Sequence, residues 1–572
     1  MAAEQLITEN INLWTSAIKV KATQGRGSSS KRELYGIKKL RELILELAVR
    51  GKLVPQVPSD EPASVLLERI AAEKAQLVKD KKIKKPKKLP EISEQERKKL
   101  LPHGWSEARL GDVLNVVNGR AYKKHEMLQE GTPLLRVGNL FTSKEWYYSD
   151  LELEPAKYID NGDLIYAWSA SFGPFIWTGG RAIYHYHIWK LDLFDCDSLS
   201  KNYLYQYLLA ITEEIKASGS GIAMVHMTKE RMEKLVFPVP PLSEQHRIVA
   251  KVDKLMALCD QLEQQTEASL DAHQLLVDTL LATLTNAQDA AELSESWARL
   301  SEHFDTLITT DYAVEQLKQT ILQLAVMGKL VPQDPNDEPA SELLKRIAAE
   351  KEQLIKDKKI KKQKPLPEVT DTEKPFDLPE GWEWCRFGDV AVARLGKMLD
   401  KAKNQGQLLP YLRNTNVQWH RFNLEDIKEM QIEADEIDEL LLRKGDLLIC
   451  EGGHPGRCAI WQNEKQQMFF QKALHRARSL GGVLPEHLQY CLTIDATTNR
   501  LDKYFTGATI KHFVGAKLNS YVIPLPPVEE QKRIVAKIDQ LIRLCDQLKI
   551  QLSEAQTTQL QLADTVVDEA LN

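Results

Sequence analysis

The sequence brings its histidines closest together in the stretch IYHYHIW, where a single tyrosine separates His185 from His187. Imidazole is a common zinc ligand, but a zinc site needs three or four nitrogen, sulfur or carboxylate ligands. No cysteine or carboxylate stands within this stretch to complete such a set. The alternation of residues is typical of a half-buried strand with both histidines on one face. The stretch therefore predicts a structural strand without a metal.

Three catalytic chemistries can be tested against short motifs. An adenine methyltransferase needs a glycine-rich cofactor loop and Asn/Asp-Pro-Pro-aromatic, but the Pro-Pro pairs lie in FPVPPLS and IPLPPVE, without the polar or aromatic residue. An ATP-driven motor needs GxxxxGK[ST], which does not occur. Glu214-Ile215-Lys216 matches part of a nuclease pattern only at chance level. We predict no catalytic residue, no metal and no cofactor in this chain.

Composition narrows the class of protein further. A chain of 572 residues is too long for one hydrophobic core and suggests three to five domains. It has no apolar stretch of about 18 residues, no secretory signal pattern, and seven cysteines without zinc-like pairing. We therefore expect a cytoplasmic protein that is not a membrane protein. The formal net charge of −5 excludes an overall basic coat but not local basic patches.

An internal repeat organises the chain. Leu47–Lys85 returns as Leu324–Lys362 with seven mismatches in 39 positions, an offset of 324 − 47 = 277. The same offset relates LPHGWSEARLGDV, Leu101–Val113, to LPEGWEWCRFGDV, Leu378–Val390. After these segments the two copies diverge. The repeat thus includes the start of a globular unit whose remainder varies.

Similarity returns at a second shared segment. PVPPLSEQHRIVAKVDKLMALCDQLE from Pro238 matches PLPPVEEQKRIVAKIDQLIRLCDQLK from Pro524, and the offset is now 286. Apolar residues spaced by four and three predict two long helices with a coiled-coil seam, packed antiparallel on each other. The alternative is an amphipathic helix lying on its own domain. The predicted seam residues are Ile248, Val252, Leu255, Cys259, Leu262, Ile534, Ile538, Leu541, Cys545, Leu548 and Leu552.

Two lysine-rich runs and the first 40 residues are harder to interpret. Lys79–Lys88 and Lys356–Lys364 are followed by prolines, which favours solvated linkers with weak nonspecific attraction to DNA in addition. Leu6, Ile7, Ile11, Leu13, Trp14 and Ile18 are the apolar positions of the first segment, and they suggest helices that contact a partner subunit.

The two variable domains, each opened by LPxGW and GDV and closed by a proline pair with SEQHRIV or EEQKRIV, resemble the specificity subunit of type I restriction enzymes. The resemblance covers nearly the whole chain. It implies two target recognition domains that each recognise half of a split, asymmetric DNA sequence. It also implies shared helices that set the spacing and dock two modification subunits, which use S-adenosylmethionine, and restriction subunits, which use ATP and Mg²⁺. A coiled-coil scaffold that binds only proteins and a stand-alone modification enzyme are the rivals.

The resemblance places DNA contacts in the variable domains, where glycines permit close approach and Arg, Lys, Asn, Ser and His donate to bases or phosphates. Arg136 and Arg413, which match at the repeat offset, are candidates for phosphate contact or for a structural role. The candidates are Arg120, Tyr122, Lys123, Lys124, Arg136, Asn139, Ser169, Ser171 and Arg181 in the first domain, and Lys397, Lys401, Arg413, Asn414, Asn416, His454, Arg457, Lys511 and His512 in the second.

The expected fold is two α/β recognition domains in a pseudo-twofold repeat, separated by long helices that form an antiparallel coiled coil. The predicted divisions are residues 1–100 (helical region and lysine-rich linker), 101–241 (first recognition domain), 242–285 (central long helix), 286–377 (helical repeat and linker), 378–527 (second recognition domain) and 528–572 (second long helix).

Overall fold

The structure is a computed structural model that describes residues 3–21, 31–97, 101–169, 171–217, 227–362, 364–400, 404–463 and 465–571. The chain divides into two compact units. Unit 1 comprises Met1–Ser269 together with Ala555–Asn572, and unit 2 comprises Leu270–Glu554. Each unit contains one copy of both shared segments and one variable domain.

The elements of the first part of the chain run from short helices through a variable domain to a long helix. The helices are α1 (Ala3–Glu9), α2 (Ile11–Ser16), α3 (Tyr35–Val49), α4 (Ala63–Lys79), α5 (Leu110–Val113), α6 (Val137–Phe141), α7 (Lys201–Ala217), α8 (Lys229–Lys234) and α9 (Leu242–Asn286). The strands are β1 (Lys19–Lys21), β2 (Lys31–Glu33), β3 (Ser106–Arg109), β4 (Leu114–Asn118), β5 (Thr132–Leu135), β6 (Tyr147–Ser149), β7 (Tyr158–Ile159), β8 (Leu164–Ser169), β9 (Ser171–Ile176), β10 (Ala182–Tyr184), β11 (Ile188–Leu193) and β12 (Val236–Val239).

The second part repeats this order. The helices are α10 (Ala290–Glu302), α11 (Phe304–Leu307), α12 (Asp311–Val326), α13 (Ala340–Lys356), α14 (Phe387–Val390), α15 (Ile437–Leu440), α16 (Pro485–Thr497), α17 (Gly515–Ser520) and α18 (Val528–Leu571). The strands are β13 (Glu383–Arg386), β14 (Ala391–Leu395), β15 (Gln407–Leu412), β16 (Val417–Gln418), β17 (Arg421–Phe422), β18 (Lys428–Ile432), β19 (Leu447–Cys450), β20 (Cys458–Ile460), β21 (Phe469–Phe470), β22 (Leu474–Ser479) and β23 (Val522–Leu525). Short 3₁₀ helices span Lys124–Glu126, Pro155–Lys157, Asp371–Glu373 and Arg500–Tyr504.

The two variable domains share a sheet topology despite their different sequences. A four-stranded antiparallel sheet has the order β4-β11-β8-β9 in unit 1 and β14-β22-β19-β20 in unit 2. A smaller mixed sheet, β6-β5-β10-β7 or β18-β15-β21, contains one parallel pair in each unit. Strand β3 pairs with β12, and β13 with β23. The two shared segments therefore close each variable domain at one base.

The histidine stretch corrects the sequence prediction of a continuous strand. Strand β10 ends at Tyr184 and β11 begins at Ile188, so the two histidines and Tyr186 lie in the turn between them. Ile188 donates its backbone N–H to His185 O (2.9 Å), which closes a tight turn, while His185 forms an isolated backbone bridge with Arg120. The two histidines do not share a strand face.

The long helices α9 and α18 have 45 and 44 residues and confirm the predicted pair of long shared helices. Helix α9 begins in unit 1 and ends in unit 2, whereas α18 begins in unit 2 and ends in unit 1. Tyr35 donates to Asp564 (2.7 Å) near the end of α18, and Tyr312 donates to Asp278 (2.8 Å) near the end of α9. These bonds match at the offsets 277 and 286, as a pseudo-twofold repeat requires.

Most seam residues of the long helices are buried, and part of their cover was not predicted. In unit 1, Arg41 of α3 pairs with Asp260 and Glu263 of α9, both at 2.7 Å. In unit 2, Lys318 of α12 pairs with Asp546 of α18 at 2.6 Å. Each seam thus lies in the core of its own unit beside the helix that leads into the first shared segment, α3 or α12. The buried seam residues are Ile248, Val252, Leu255, Cys259, Leu262, Ile534, Ile538 and Cys545, and Leu541, Leu548 and Leu552 are half-buried.

The first helices of unit 1 are covered largely by the same unit. Ile7 and Trp14 are buried in its core, and Gly36 donates its backbone N–H to Ala17 O (2.8 Å). Gln556 of α18 donates to Ile18 O (2.6 Å). Contacts inside unit 1 therefore account for much of the apolar pattern from which partner contact was predicted.

Candidate nucleic-acid interface

An arginine at the base of each variable domain joins four stretches of chain. The guanidinium of Arg386 donates to Pro367 O (3.1 Å), Glu368 O (3.0 Å), Ser520 O (2.9 Å) and both carboxylate oxygens of Glu373 (2.7 and 2.9 Å). The hydrogen bond from Arg386 lowers the pKa of Glu373 to about 2. All five N–H groups of this buried guanidinium are used. We name this arrangement the arginine clamp of unit 2.

Unit 1 contains the same arginine clamp. Arg109 donates to Pro90 O (3.2 Å), Glu91 O (3.0 Å), Lys234 O (2.6 Å) and the carboxylate of Glu96 (2.7 and 2.8 Å). The hydrogen bond from Arg109 lowers the pKa of Glu96 to about 2. Every partner matches its counterpart in unit 2 at an offset of 277 or 286. The base of both domains is therefore built to one plan.

The Glu-Gln pair of the second shared segment is also structural. Glu530 and Gln531 are buried, and Glu530 accepts from Gln333 (3.0 Å) and Trp382 (3.0 Å). Burial raises the pKa of Glu530. Gln531 donates to Pro526 O (2.9 Å) and accepts from the backbone N–H of Leu484 (2.8 Å). These bonds fix the start of α18 on the domain before it.

Glu244 and Gln245 occupy the same places at the start of α9. Gln56 donates to Glu244 (3.2 Å), and Gln245 donates to Pro240 O (2.9 Å) and accepts from the backbone N–H of Ser200 (2.7 Å). The motif that carries the family resemblance thus connects each domain to its helix, away from the variable loops.

In unit 2 the structure brings five candidate residues into one group of loops. Asn414 donates to Gly452 O (3.2 Å), and Arg457 donates to Asn414 O (2.8 Å). His512 forms a backbone bridge with Gly452, and its Nδ1 lies 3.2 Å from Glu451. We name this group of loops the unit 2 loop cluster. Its candidate residues are Asn414, His454, Arg457, Lys511 and His512.

The glycines of the β19–β20 loop explain its shape. Gly453 and Gly456 have φ of 79° and 87°, a region that residues with a Cβ rarely adopt. They expose His454, whereas Arg457 is half-buried and also donates to Gln418 (3.3 Å). Lys511 is exposed and pairs with Asp502 at 2.7 Å. The cluster thus presents a ring nitrogen, an ammonium and amide groups on one loop surface.

The remaining candidates of unit 2 have internal partners. Lys397 is buried and pairs with Glu433 and Glu436. Asn416 is buried, accepts from the backbone N–H of Arg413 (2.9 Å) and donates to Asp426 O (3.1 Å). Arg413 pairs with Asp426 at 2.7 Å. These contacts favour structural roles for Lys397 and Asn416. Lys401 lies outside the described residues.

Arg136 and Asn139 repeat the turn of Arg413 and Asn416. The backbone N–H of Arg136 donates to Asn139 Oδ1 (3.1 Å), and Asn139 donates to Glu145 O (2.7 Å). The guanidinium of Arg136 lies over the ring of Tyr147, 4.4 Å from its centroid. This shared turn has the same geometry in both units although its surroundings differ, which favours a role in fixing the loop.

The other candidates of unit 1 are divided between two ends of the domain. Arg120 pairs with Glu126 at 2.7 Å, and its hydrogen bond lowers the pKa of Glu126 to about 2. Tyr122 is buried, and burial raises its pKa to about 12, whereas Lys123 and Lys124 are exposed. The candidates at the β8–β9 hairpin are Ser169, which is buried, and Ser171, which pairs with Ser169 in the ladder. Arg181 directly precedes β10 and pairs with Asp160 at 3.4 Å.

An aromatic turn lies at the end of β8 in unit 1 and was not among the predicted contacts. Trp168 Nε1 donates to Tyr186 O (2.9 Å), and its ring lies 5.2 Å from His187 and 5.4 Å from Trp189. Tyr186 is 40% exposed, and burial lowers the pKa of His185 to about 4. Trp168 and His187 occupy the topological places of Glu451 and Ala473 in unit 2, so sequence alignment of the copies does not reveal the turn.

The described residues contain no group of three or more His, Cys, Asp or Glu side chains placed to hold a metal ion. None of the helices in the described ranges is both long and apolar enough to span a membrane.

The two units close their variable domains with the same contacts but carry different loops. This combination defines a binding protein with two repeated units. Residues 102–272 and 379–555 match the family described as type I restriction modification DNA specificity domain. The chain therefore belongs to the family of type I restriction-modification specificity subunits. Such subunits are non-catalytic and carry no cofactor of their own, and this chain is a specificity subunit of the type I restriction-modification family.

Similar proteins cover the whole chain. The type I restriction enzyme EcoAI specificity subunit of Escherichia coli is 42% identical over 599 aligned residues, with 100% of both chains covered. The EcoEI specificity subunit of the same species is 40% identical over 600, again with 100% of both covered. A solved structure described as "complex assembly and conformational transition of the type I R-M system" aligns with 19% identity and a TM-score of 0.46, covering 85% of this chain and 99% of the other.

Proposed function

We propose that this subunit recognises a bipartite, asymmetric DNA sequence, one half-site per unit. It thereby dictates the sequence at which its complex both methylates and cleaves DNA. The observation that carries the proposal is the contrast between the duplicated arginine clamps and the unequal loops that they support. Two domains with the same scaffold and different loops suit two different half-sites. The loops must match different DNA base edges, whereas the scaffold that supports them can stay the same.

The unit 2 loop cluster supplies the chemistry for one half-site. Exposed His454 and Lys511 present donors for base acceptors or phosphates, and Asn414 presents an amide. In unit 1, Lys123, Lys124 and the aromatic turn form the other surface. All the candidate residues predicted from the sequence remain part of the proposal, with Lys397, Asn416 and Tyr122 in supporting roles.

The long helices connect the two recognition surfaces. At about 1.5 Å per residue, a helix of 45 residues is about 68 Å long, equal to about two helical turns of DNA of about 34 Å each. Such a helix fixes a gap between half-sites. We propose that the shared helices also dock two modification subunits, which use S-adenosylmethionine, and the restriction subunits, which use ATP and Mg²⁺, in the cytoplasm.

The first experiment is to express the chain with its modification subunit in a methylation-free host and to map methylated adenines. A split motif with a fixed gap is expected. His454→Ala with Lys511→Ala should relax one half-site, and Lys123→Ala with Lys124→Ala should relax the other. Lys465→Ala, an exposed lysine of the β20–β21 loop, is the control and should leave the motif unchanged.

The outcomes separate the proposal from its rivals. A stable complex that methylates no motif would indicate a protein-binding scaffold, and methylation by the single chain would indicate an enzyme. If variants of one unit altered both half-sites, one half-site per unit would be wrong.

The spacing function has its own test. Seven residues inserted into α9 after Ser269 and into α18 after Glu554 preserve the seam and add about 10.5 Å. The gap should grow by about three base pairs, because base pairs rise by about 3.4 Å. Seven residues inserted at Gln288, between α9 and α10, lengthen the chain but not the helices and should leave the gap unchanged.

A further inference from the structure

The lysine-rich run of each copy starts with a backbone turn at the end of a helix. We name Lys79–Lys88 and Lys356–Lys364 the lysine turns. Each begins where a helix of the first shared segment ends at a lysine in the left-handed region, with φ of 58° at Lys81 and 56° at Lys358. Lys82 and Ile83 donate their backbone N–H to Leu77 O at 3.0 and 3.3 Å, a C-terminal helix cap.

The second lysine turn has the same backbone bonds. Lys359 and Ile360 donate their backbone N–H to Leu354 O at 2.9 and 3.3 Å. At the other end, the arginine clamps hold Pro90 and Pro367, which come two and three residues after the turns. Both turns are thus anchored on both sides, which a flexible linker between domains would not need.

The charge of the lysine turns is largely uncompensated. Seven of the ten residues of the first turn and six of the nine of the second are lysine, against one aspartate in each. The aspartates already accept from Gln76 and Gln353, both at 2.8 Å. Among the described residues, Lys359 lies 3.5 Å from Asp357, and Lys87 adds to the larger effect of Lys234 in lowering the pKa of Glu230.

Side chains of the turns are free to meet a ligand. Lys84, Lys85 and Lys87 of the first turn and Lys361, Lys362 and Lys364 of the second are exposed. The carboxylates elsewhere give the chain a net charge of −5, so nonspecific attraction to a polyanion must come from local basic surfaces of this kind.

The identity of the turns indicates the kind of ligand. KDKKIKK is the same in both copies, whereas the recognition loops have diverged. Two identical surfaces beside two different half-sites suit a ligand that is the same at every position, and the sugar-phosphate backbone is such a ligand. Lysine is a point charge that binds phosphate without requiring planar geometry.

The turns also lie within reach of the recognition loops. Lys74 donates to Gly111 O (2.8 Å) and Lys351 to Gly388 O (2.5 Å), so α4 and α13 end near α5 and α14. The strands that follow, β4 and β14, have five residues each and lead to the loops. Five strand residues span about 17 Å, about half a helical turn of DNA.

From these observations we propose that the lysine turns are a duplicated binding site for DNA phosphates, which adds sequence-independent affinity beside each half-site. This inference rests on the proposed function, because it assigns the turns to the same DNA. Base contacts belong to the loops, and the turns contribute equally to specific and nonspecific binding.

The test measures how binding of the subunit, assembled with its modification subunits, depends on salt. Two duplexes are compared, one with the mapped methylation motif and one with that motif scrambled. The variants K84Q/K85Q/K87Q and K361Q/K362Q/K364Q each remove three charges from one lysine turn. The control K345Q/K374Q/K532Q removes three charges from exposed lysines paired with Glu342, Asp371 and Glu529.

If all three lysines contact phosphates, the slope of log affinity against log salt should fall by about 2.7, since each contact contributes about 0.9. Between 50 and 200 mM salt, the variant should then lose about 40-fold less affinity than the wild type. Each turn should give the same change on both duplexes, and the methylation motif should stay the same. The control should keep the wild-type slope.

Three results would overturn the inference. An unchanged slope in an intact complex would exclude phosphate contacts, and an altered half-site would show that the turns select bases. Loss of modification subunits with an unchanged slope would show that the turns bind an acidic protein surface. Failure of the proposed function appears instead in the wild type, as equal binding of the two duplexes; the turn variants would still report on phosphate contact.

Discussion

Replacing Arg386 by lysine tests the arginine clamp, which has an internal control in unit 1. The five N–H groups of Arg386 donate to acceptors at 2.7–3.1 Å, and the side chain is only 5% exposed. A lysine ammonium has three donors at one point. At least two bonds are therefore lost, although the charge beside Glu373 remains.

Two hydrogen bonds to a charged group are worth about 3–6 kcal/mol. We expect the lower end, about 3 kcal/mol, because the ammonium can still reach Glu373. A local opening that costs about 3 kcal/mol less is about 100-fold more frequent, since about 1.4 kcal/mol is a factor of ten.

Amide hydrogen exchange measures this effect segment by segment. In Arg386→Lys, exchange over residues 365–374 should become about 100-fold faster, while residues 88–97, held by Arg109, keep their wild-type rate. Arg109→Lys should give the mirrored result. Arg346→Lys is the matched control, since Arg346 is 50% exposed and pairs with Glu338 at the surface, and it should change neither segment. Equal acceleration in both units, or none in either, would refute a local clamp.

Three further predictions concern the core and the same clamp. Gly396→Ala places a Cβ 2.3 Å from Phe470 O and should destabilise unit 2 by at least about 1–3 kcal/mol in thermal unfolding. Leu255→Ala should cost about 2–5 kcal/mol and Leu258→Ala, 36% exposed on the same helix, under about 1 kcal/mol; equal costs would contradict the buried seam. Because the pKa of Glu373 falls from 4.5 to about 2 on folding, its stabilisation is complete above about pH 4.5 and is lost as pH falls towards 2. In hydrogen exchange of residues 365–374, Glu373→Gln should remove that pH dependence.

Much of the fold is predictable from the sequence because the chain contains an internal repeat. The repeat at offset 277 and the heptad spacing after Pro238 and Pro524 predict two units and two long helices, and both are present. The sequence does not predict that α3 and α12 lie against the seams, because a heptad pattern indicates an apolar stripe but not the helix that packs on it. Likewise, IYHYHIW alternates like a strand, but the backbone hydrogen bond from Ile188 to His185 closes a turn within it.

The sequence predicts which loops form the candidate site, but it does not predict which of the candidate residues are exposed. Glycines at 453 and 456 correctly mark a loop that exposes His454. Side-chain type does not distinguish Lys397, buried between two glutamates distant in sequence, from exposed Lys511. The pairing depends on strands β15 and β18 bringing residues 433 and 436 back to β14, and that is tertiary information.

The exchange of helix ends between the units has a consequence for the order of synthesis. The core of unit 1 includes Ala563, and its surface bonds reach Asp564 and the backbone of Leu571. At about 5–20 residues per second, a ribosome needs about 15–60 s to make the 285 residues of Leu270–Glu554 that come between. Unit 1 starts first yet is completed last, so its core lacks the residues of α18 until unit 2 has been translated.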